Sequence, residues 1–265
     1  MMNIVEKPLY QIGKTFLKLF SKLEPFGEFF IFHFNLLPKY FSKPLRLRQI
    51  LLQIETIGIN SLSVILLTSI FTGLVMGIQL YDAFHKFGAE DIMGYTIFVA
   101  IGKELGPVFT ALMVISRAVS AMAAELGTMR VTEQIDAINV LSIDAKKYLI
   151  APRIIATTIS LPILTLLFDL VANISSYLLA TQALGVNSTT YINTITKYAN
   201  FGDFLQGSFK GVLFGITISW IGTYIGYKTK GGAKGVGIAT TKAVVFASVS
   251  LFLINYLASS FFILL

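Results

Sequence analysis

Thr56–Tyr81, TIGINSLSVILLTSIFTGLVMGIQLY, is a run of 26 residues without a charge. A helix needs about 20 apolar residues to cross the hydrocarbon core of a bilayer, so this run predicts a transmembrane helix over residues 57–80. Four similar windows follow. Leu105–Ala124 is interrupted only by Arg117, and Ile154–Leu179 only by Asp169. Gly211–Tyr227 extends backwards through FLQGSF to residue 205, and Ala243–Leu265 is uncharged throughout. Five spans place the two termini on opposite sides of a membrane. The composition agrees: 55% of the 265 residues are hydrophobic and 13% charged, with a mean hydropathy of +0.74. Soluble domains carry about 25% charged residues, so a cytosolic enzyme, a disordered chain and a nucleic-acid-binding module are all excluded.

The first 50 residues read differently. Basic and acidic residues alternate there with aromatics, as in FLKLFSKLEPFGEFFIFHFNLLPKYF (16–41). Such segments lie in the headgroup plane, so one or two interfacial helices, broken near Pro25 and Pro38, are expected. No signal-peptide core or cleavage site is visible. The expected domains are an interfacial region over 1–50 and a transmembrane domain over 51–265. Orientation follows the positive charges. With the N-terminus on the cytoplasmic or stromal side, 17 of the 21 basic residues fall on the inner side, or 16 without Arg117, which lies inside a span. The fold class expected is therefore an all-α integral membrane protein with five transmembrane helices and its N-terminus inside.

No catalytic signature is present. PLYQIGKT (8–15) lacks the first glycine and the preceding strand of a phosphate-binding loop, and GGAKGVG (231–237) lacks strand–turn–helix context. Cysteine is absent, and His33 and His85 have no ligand spacing around them, so no metal site is expected. Glycines recur four apart at Gly73/Gly77, Gly102/Gly106, Gly207/Gly211/Gly215 and Gly222/Gly226. Such spacing lets helices approach closely in lipid, either within one bundle or at a dimer seam.

Ionisable residues at membrane depth cost several kcal/mol unless they are paired or solvated, which makes each a functional candidate. Arg117 and Asp169 suggest an internal ion pair between the second and third spans. Lys103 and Glu104 open the second span, either as snorkelling side chains or as contacts for a substrate headgroup. Met76, Leu80, Phe84 and Phe87 form an apolar stripe at helical spacing, readable as packing or as a lipid-binding wall. Between the second and third spans, residues 125–150 carry an amphipathic helix. Thr132 is its expected N-cap, with acidic residues in the first turn. Its ridge of Ile135, Ile138 and Leu141 suits either an interfacial linker or a helix seated in a partner's groove.

The run KELGPVFTALMVISRAVSAMAAELGTMRVTEQIDAINVLSIDAKKYLIAPRIIA (103–156) resembles the MlaE-type permeases of lipid-transporting ABC systems, a family with bacterial, plastid and cyanobacterial branches. The resemblance extends from about Ile50 to the C-terminus through GLVMGIQ, SLPILTLLFD and TTKAVVFAS. It implies a permease subunit, not itself an enzyme, that moves phospholipid or a related glycerolipid. It also implies a homodimer, a separate ATPase subunit using ATP and magnesium, and an MCE-domain lipid-binding partner. No cofactor is implied for the chain itself. The family's ATPase-coupling helix falls on Glu133, Gln134, Ile135, Asp136 and Ala137. Its lipid cavity falls on Met76, Ala83, Phe84, Phe87, Lys103, Glu104 and Leu105. Lys103 stands where relatives often have Arg, which weakens a bidentate grip on phosphate. The resemblance implies a plastid membrane or a bacterial inner membrane, and the compact, Ile-, Phe- and Lys-rich composition without a visible transit peptide favours the plastid. A secondary carrier would need ion-coupling acids in mid-membrane, where only Asp169 qualifies, and a non-transporting scaffold would tolerate loss of Glu104.

Overall fold

Long apolar runs form long helices because in lipid only helices and closed barrels satisfy every backbone group, and there the interior prolines Pro107, Pro152 and Pro162 are tolerated. The computed structural model describes residues 24–40, 42–43 and 46–264, and among these no strand occurs. The chain divides into two units, Met1–Leu45 and Arg46–Leu265. In the first, helices Glu24–Phe34 and Leu37–Tyr40 are separated by a turn closed by the Leu36 amide on His33 O at 3.0 Å. Phe29 meets Phe30 edge to face and Phe30 stacks on Phe34. The break at Asn35–Leu36 agrees with the one expected near Pro38, whereas Pro25 lies in the first turn of Glu24–Phe34 and a break before it falls outside the described residues. The expected interfacial character of residues 1–23 concerns positions outside the described residues.

The second unit contains five helices long and apolar enough to cross a membrane: Leu47–His85, Glu90–Val131, Ala145–Gln182, Phe201–Tyr227 and Gly232–Leu264. All five start earlier than the uncharged windows, because charged residues continue the helices beyond the apolar runs. The first span is jointed: an amphipathic helix, Leu47–Ile57, meets the membrane helix Leu62–His85 through a 3-10 turn at Ile59–Ser61. Two shorter helices, Gln134–Val140 and Ser188–Tyr198, fill the connections after the second and third spans. The ends near Leu47, Val131, Ala145, Tyr227 and Gly232 form the basic end, which carries Arg130, Lys146, Lys147, Lys228, Lys230 and Lys234.

The third and fourth spans form the enclosed centre, and the first and fifth are the most open. The third packs against the first and the fourth, and the fourth also packs against the second and the fifth. Small residues set these distances, since packing rather than the hydrophobic effect drives helix association in lipid. A Cβ on Gly73 would overlap the Ala172 backbone, and one on Gly211 would lie 2.9 Å from Pro162 Cα. Gly77, Gly215, Gly222 and Gly226 likewise face neighbouring spans. These glycines therefore serve packing inside the chain.

Candidate functional site

The second span departs from α geometry at two places, Ile101–Leu105 and Ile115–Val119, each one turn of π-helix. A π turn adds a residue to the turn and redirects the side chains around it, commonly at functional sites. Lys103, Glu104 and Arg117 all lie in these turns. The helix starts at Glu90, so Lys103 and Glu104 sit about 20 Å of helical rise inside it. The expectation that they open the span is corrected: their charges are neutralised by neighbouring spans, so the helix carries them inward.

Lys103 Nζ pairs with Asp203 Oδ1 at 2.6 Å. Asp203 is fixed by a capping box at the start of the fourth span, where its Oδ2 accepts the Asn200 amide at 3.0 Å. Lys210, with 0% of its side chain exposed, pairs with Glu104 Oε1 at 2.6 Å. Its Nζ also donates to Lys103 O at 2.9 Å and Ser259 Oγ at 2.8 Å. An ammonium has three donors, and all three are satisfied here. Glu104 additionally accepts from Asn255 Nδ2 at 3.1 Å and Ser259 Oγ at 2.9 Å. The close approach needs Gly207, because a Cβ there would overlap Gly102 O. Asp203, Lys210, Asn255 and Ser259 were not singled out from the sequence. The available signal was Lys210, a lone charge inside an otherwise uncharged window.

The expected Arg117–Asp169 pair does not form. Arg117 turns to the joint in the first span: Nε donates to Ser61 Oγ at 2.9 Å, and Nη2 reaches Thr56 O and, at 3.5 Å, Ile57 O. These carbonyls end the helix Leu47–Ile57, whose last turn has unpaired acceptors and a negative dipole end, so a guanidinium settles there. Asp169 instead lies against Gly106, at a point where any Cβ would overlap its Oδ1. Asp169, Asn173, Lys103 and Asp203 contribute to a cavity of about 250 Å³ between the second, third and fourth spans.

The first-span candidates remain apart from this polar network. Met76 and Phe84 are half-buried, Ala83 is exposed, and Phe87, past the end of the helix, is 84% exposed. Leu105 is half-buried in the π turn. The partners of Lys103 and Glu104 come from the fourth and fifth spans. At the end opposite the basic residues, Tyr191 is buried and donates to Ser176 Oγ at 3.5 Å. Its burial raises the phenol pKa above the usual value.

At the basic end, the helix Gln134–Val140 is bracketed by two non-glycine residues in the left-handed region, Glu133 at φ 61° and Ser142 at φ 60°. Each costs of order 1–3 kcal/mol and persists only where its surroundings enforce it. Thr132 is not the N-cap: its hydroxyl donates back to Thr128 O at 2.8 Å, and Glu133 takes the cap position. The helix is anchored by buried Ile135 and by Arg130 on Asp136 at 2.5 Å. The ridge is also redistributed, since Ile135 faces inward while Val140 and Leu141 are 83% and 71% exposed. Asp144 caps the third span by accepting the Lys146 and Lys147 amides at 3.1 and 3.2 Å. Nearby, buried Arg153 pairs with Glu125 at 2.7 Å, tying the third span to the second. Among the described residues, no cluster of histidine and acidic side chains could hold a metal ion.

Comparison with known proteins places this arrangement. A family model described as Permease MlaE matches residues 50–261. A probable ABC transporter permease protein of Rickettsia prowazekii is 39% identical over 97% of this chain and 98% of its own length. The chloroplastic protein TRIGALACTOSYLDIACYLGLYCEROL 1 of Arabidopsis thaliana is 41% identical over 81% of this chain and 61% of its own length. The intermembrane phospholipid transport system permease protein MlaE of Haemophilus influenzae is 36% identical over 74% and 76%. On this match across most of its length, together with its five long apolar helices, the chain is a multi-pass membrane protein that belongs to the MlaE permease family.

Proposed function

We propose that the chain is the membrane subunit of an ABC transporter that moves phospholipid or a related glycerolipid. In this reading it works as a homodimer, does not itself catalyse ATP hydrolysis and binds no cofactor. A partner ATPase consumes ATP and magnesium, and an MCE-domain protein exchanges lipid on the opposite side. The basic end faces the cytoplasm or stroma, in keeping with the positive-inside rule. Residues 1–50 lie at the interface and 51–265 form the permease domain. Met76, Ala83, Phe84, Phe87, Lys103, Glu104 and Leu105 face the transported lipid near the dimer centre. The Glu104–Lys210 network fits that role, because it keeps charged groups at membrane depth while leaving the Glu104 side chain 42% exposed.

One observation carries the reading of ATP coupling: a short helix held between two strained residues, with Val140 and Leu141 uncovered, at the basic end. Glu133, Gln134, Ile135, Asp136 and Ala137 would follow the ATPase as it closes. Arg130 and Arg153 would pass that motion to the second and third spans through their pairs with Asp136 and Glu125. Reversing charge at Glu133 and Asp136 together is expected to abolish co-purification with the cognate ATPase, or its stimulation by this subunit. Unaltered assembly and ATPase activity in that double variant would overturn the coupling assignment.

A further inference from the structure

The short helix Gln134–Val140 is tied to three spans. Its backbone packs beside the ends of the second and third, and Arg130 at the end of the second pairs with its Asp136. Asn139 supplies the other two ties. Its Oδ1 accepts the amide of Ala145, the first residue of the third span, at 3.4 Å. The same side chain hydrogen-bonds the hydroxyl of Tyr227, the last residue of the fourth span. With Oδ1 taken by Ala145, the Asn139 Nδ2 is the donor to Tyr227. The charges of Arg130, Asp136 and Asp144 act on that hydroxyl as well.

The fourth span is suited to carry a displacement across the membrane. The first span bends at the 3-10 turn Ile59–Ser61, the second at its π turns, and the third contains Pro152 and Pro162. Phe201–Tyr227 is α-helical throughout and has no proline. The fifth is unbroken too, but the fourth is the one that ends on Asn139. From Tyr227 back to Lys210 the helix rises about 25 Å. A Cβ at Gly211 would lie 2.9 Å from Pro162 Cα, one at Gly215 2.9 Å from Thr158 Cα, and one at Gly226 3.0 Å from Ala123 Cα. Such contacts block sideways movement and leave displacement along the axis, the shear mode of packed helices.

We propose that Tyr227 is a positioning residue for transport. Through Asn139 it makes the fourth span follow the short helix, and the span carries that movement to Asp203 and Lys210 in its outer half. This role rests on the ATP coupling proposed above and supplies a route for it. Asn139 is exposed and Tyr227 half-buried, so water replaces a lost partner there and the fold is retained.

The test uses the full chain assembled with its cognate ATPase in proteoliposomes. Tyr227→Phe removes only the hydroxyl. It is expected to melt with wild type, to co-purify with the ATPase and to hydrolyse ATP. It is also expected to move about fivefold less labelled phospholipid per ATP, the factor for one hydrogen bond of ordinary net strength. Asn139→Ala is expected to show at least this deficit, and adding Tyr227→Phe to it no further one, as for two members of one contact. A second readout is independent of lipid. The chain has no cysteine of its own, and Leu205, near the outer end of the fourth span, is 51% exposed. In Leu205→Cys, ATP is expected to change the rate of maleimide labelling, and Tyr227→Phe to abolish that change. Wild-type transfer per ATP in Tyr227→Phe, or additive deficits with Asn139→Ala, would overturn the role. So would reduced transfer with the labelling response retained, which would confine Tyr227 to the inner end. Charge reversal at Glu133 and Asp136, run alongside, separates the two readings. If it leaves transfer intact, the coupling assignment falls and the role of Tyr227 with it. If it stops transfer while Tyr227→Phe transfers as wild type, the role of Tyr227 alone falls.

Discussion

Replacing Lys210 with methionine keeps the aliphatic volume and removes the ammonium from the centre of the polar network. Three bonds are lost at once, to Glu104, to Lys103 O and to Ser259. Breaking a fully buried pair costs about 3–5 kcal/mol, whereas an exposed pair contributes about 0–1 kcal/mol. Lys210 has no exposed side-chain surface, but Glu104 is 42% exposed and keeps Asn255 and Ser259. The cost therefore falls between those limits, at about 2–3 kcal/mol. At about 2–4 °C per kcal/mol for a chain of this size, thermal unfolding in detergent is expected about 5–10 °C lower. Adding Glu104→Gln removes the stranded carboxylate, so the double variant is expected to melt above Lys210→Met alone. A midpoint within about 2 °C of wild type for Lys210→Met, or strictly additive effects in the cycle, would refute the view that this pair is a coupled structural unit.

Arg117→Leu frees the joint in the first span and is expected to cost about 1–2 kcal/mol, since hydrogen bonds from charged groups are worth about 1.5–3 kcal/mol when buried and Arg117 is half-exposed. Arg117→Lys is expected to rescue little, because one ammonium cannot reproduce the fork on Ser61 and Thr56. Protease accessibility near Gly58, together with the melting midpoint, measures both. Gly207→Ala forces the second and fourth spans apart at Gly102 O. Over-packing of this kind costs about 1–3 kcal/mol, and a crosslink placed between residues 99 and 204 is expected to form more slowly in that variant. Wild-type melting and crosslinking for Gly207→Ala would contradict the close approach.

The spans were legible because an uncharged run of 20 residues has few other readings, and the helices indeed contain the windows centred on SVILLTSIFTGLVMGIQL and its successors. The ends were less legible. Lys103 and Glu104 looked like the mouth of a span because a single sequence does not show that Asp203 and Lys210, about a hundred residues later, neutralise them. The same blindness produced the Arg117–Asp169 expectation. Each residue was a lone charge in its window, and pairing them was the economical reading. The actual solution places Arg117 on the carbonyls of Thr56 and Ile57, partners that carry no side-chain signal at all. The π turns had no sequence signature, although they aim Lys103, Glu104 and Arg117. The glycine spacing was informative: close approach was expected, and Gly73, Gly77, Gly211 and Gly215 provide it within the chain. In the 125–150 segment the helix was foreseen, but its cap was not, because Glu133 adopts a left-handed conformation that favours glycine.

The most direct measurement joins this chain with its cognate ATPase in proteoliposomes and follows transfer of a labelled phospholipid to an acceptor membrane or MCE-domain protein. Transfer is expected to require ATP and to stop when both Glu133 and Asp136 are reversed in charge, while the variant chain still folds with five membrane helices. Lipid transfer that proceeds at the same rate without ATP, or ATP-driven transfer unchanged by the double reversal, would contradict the account.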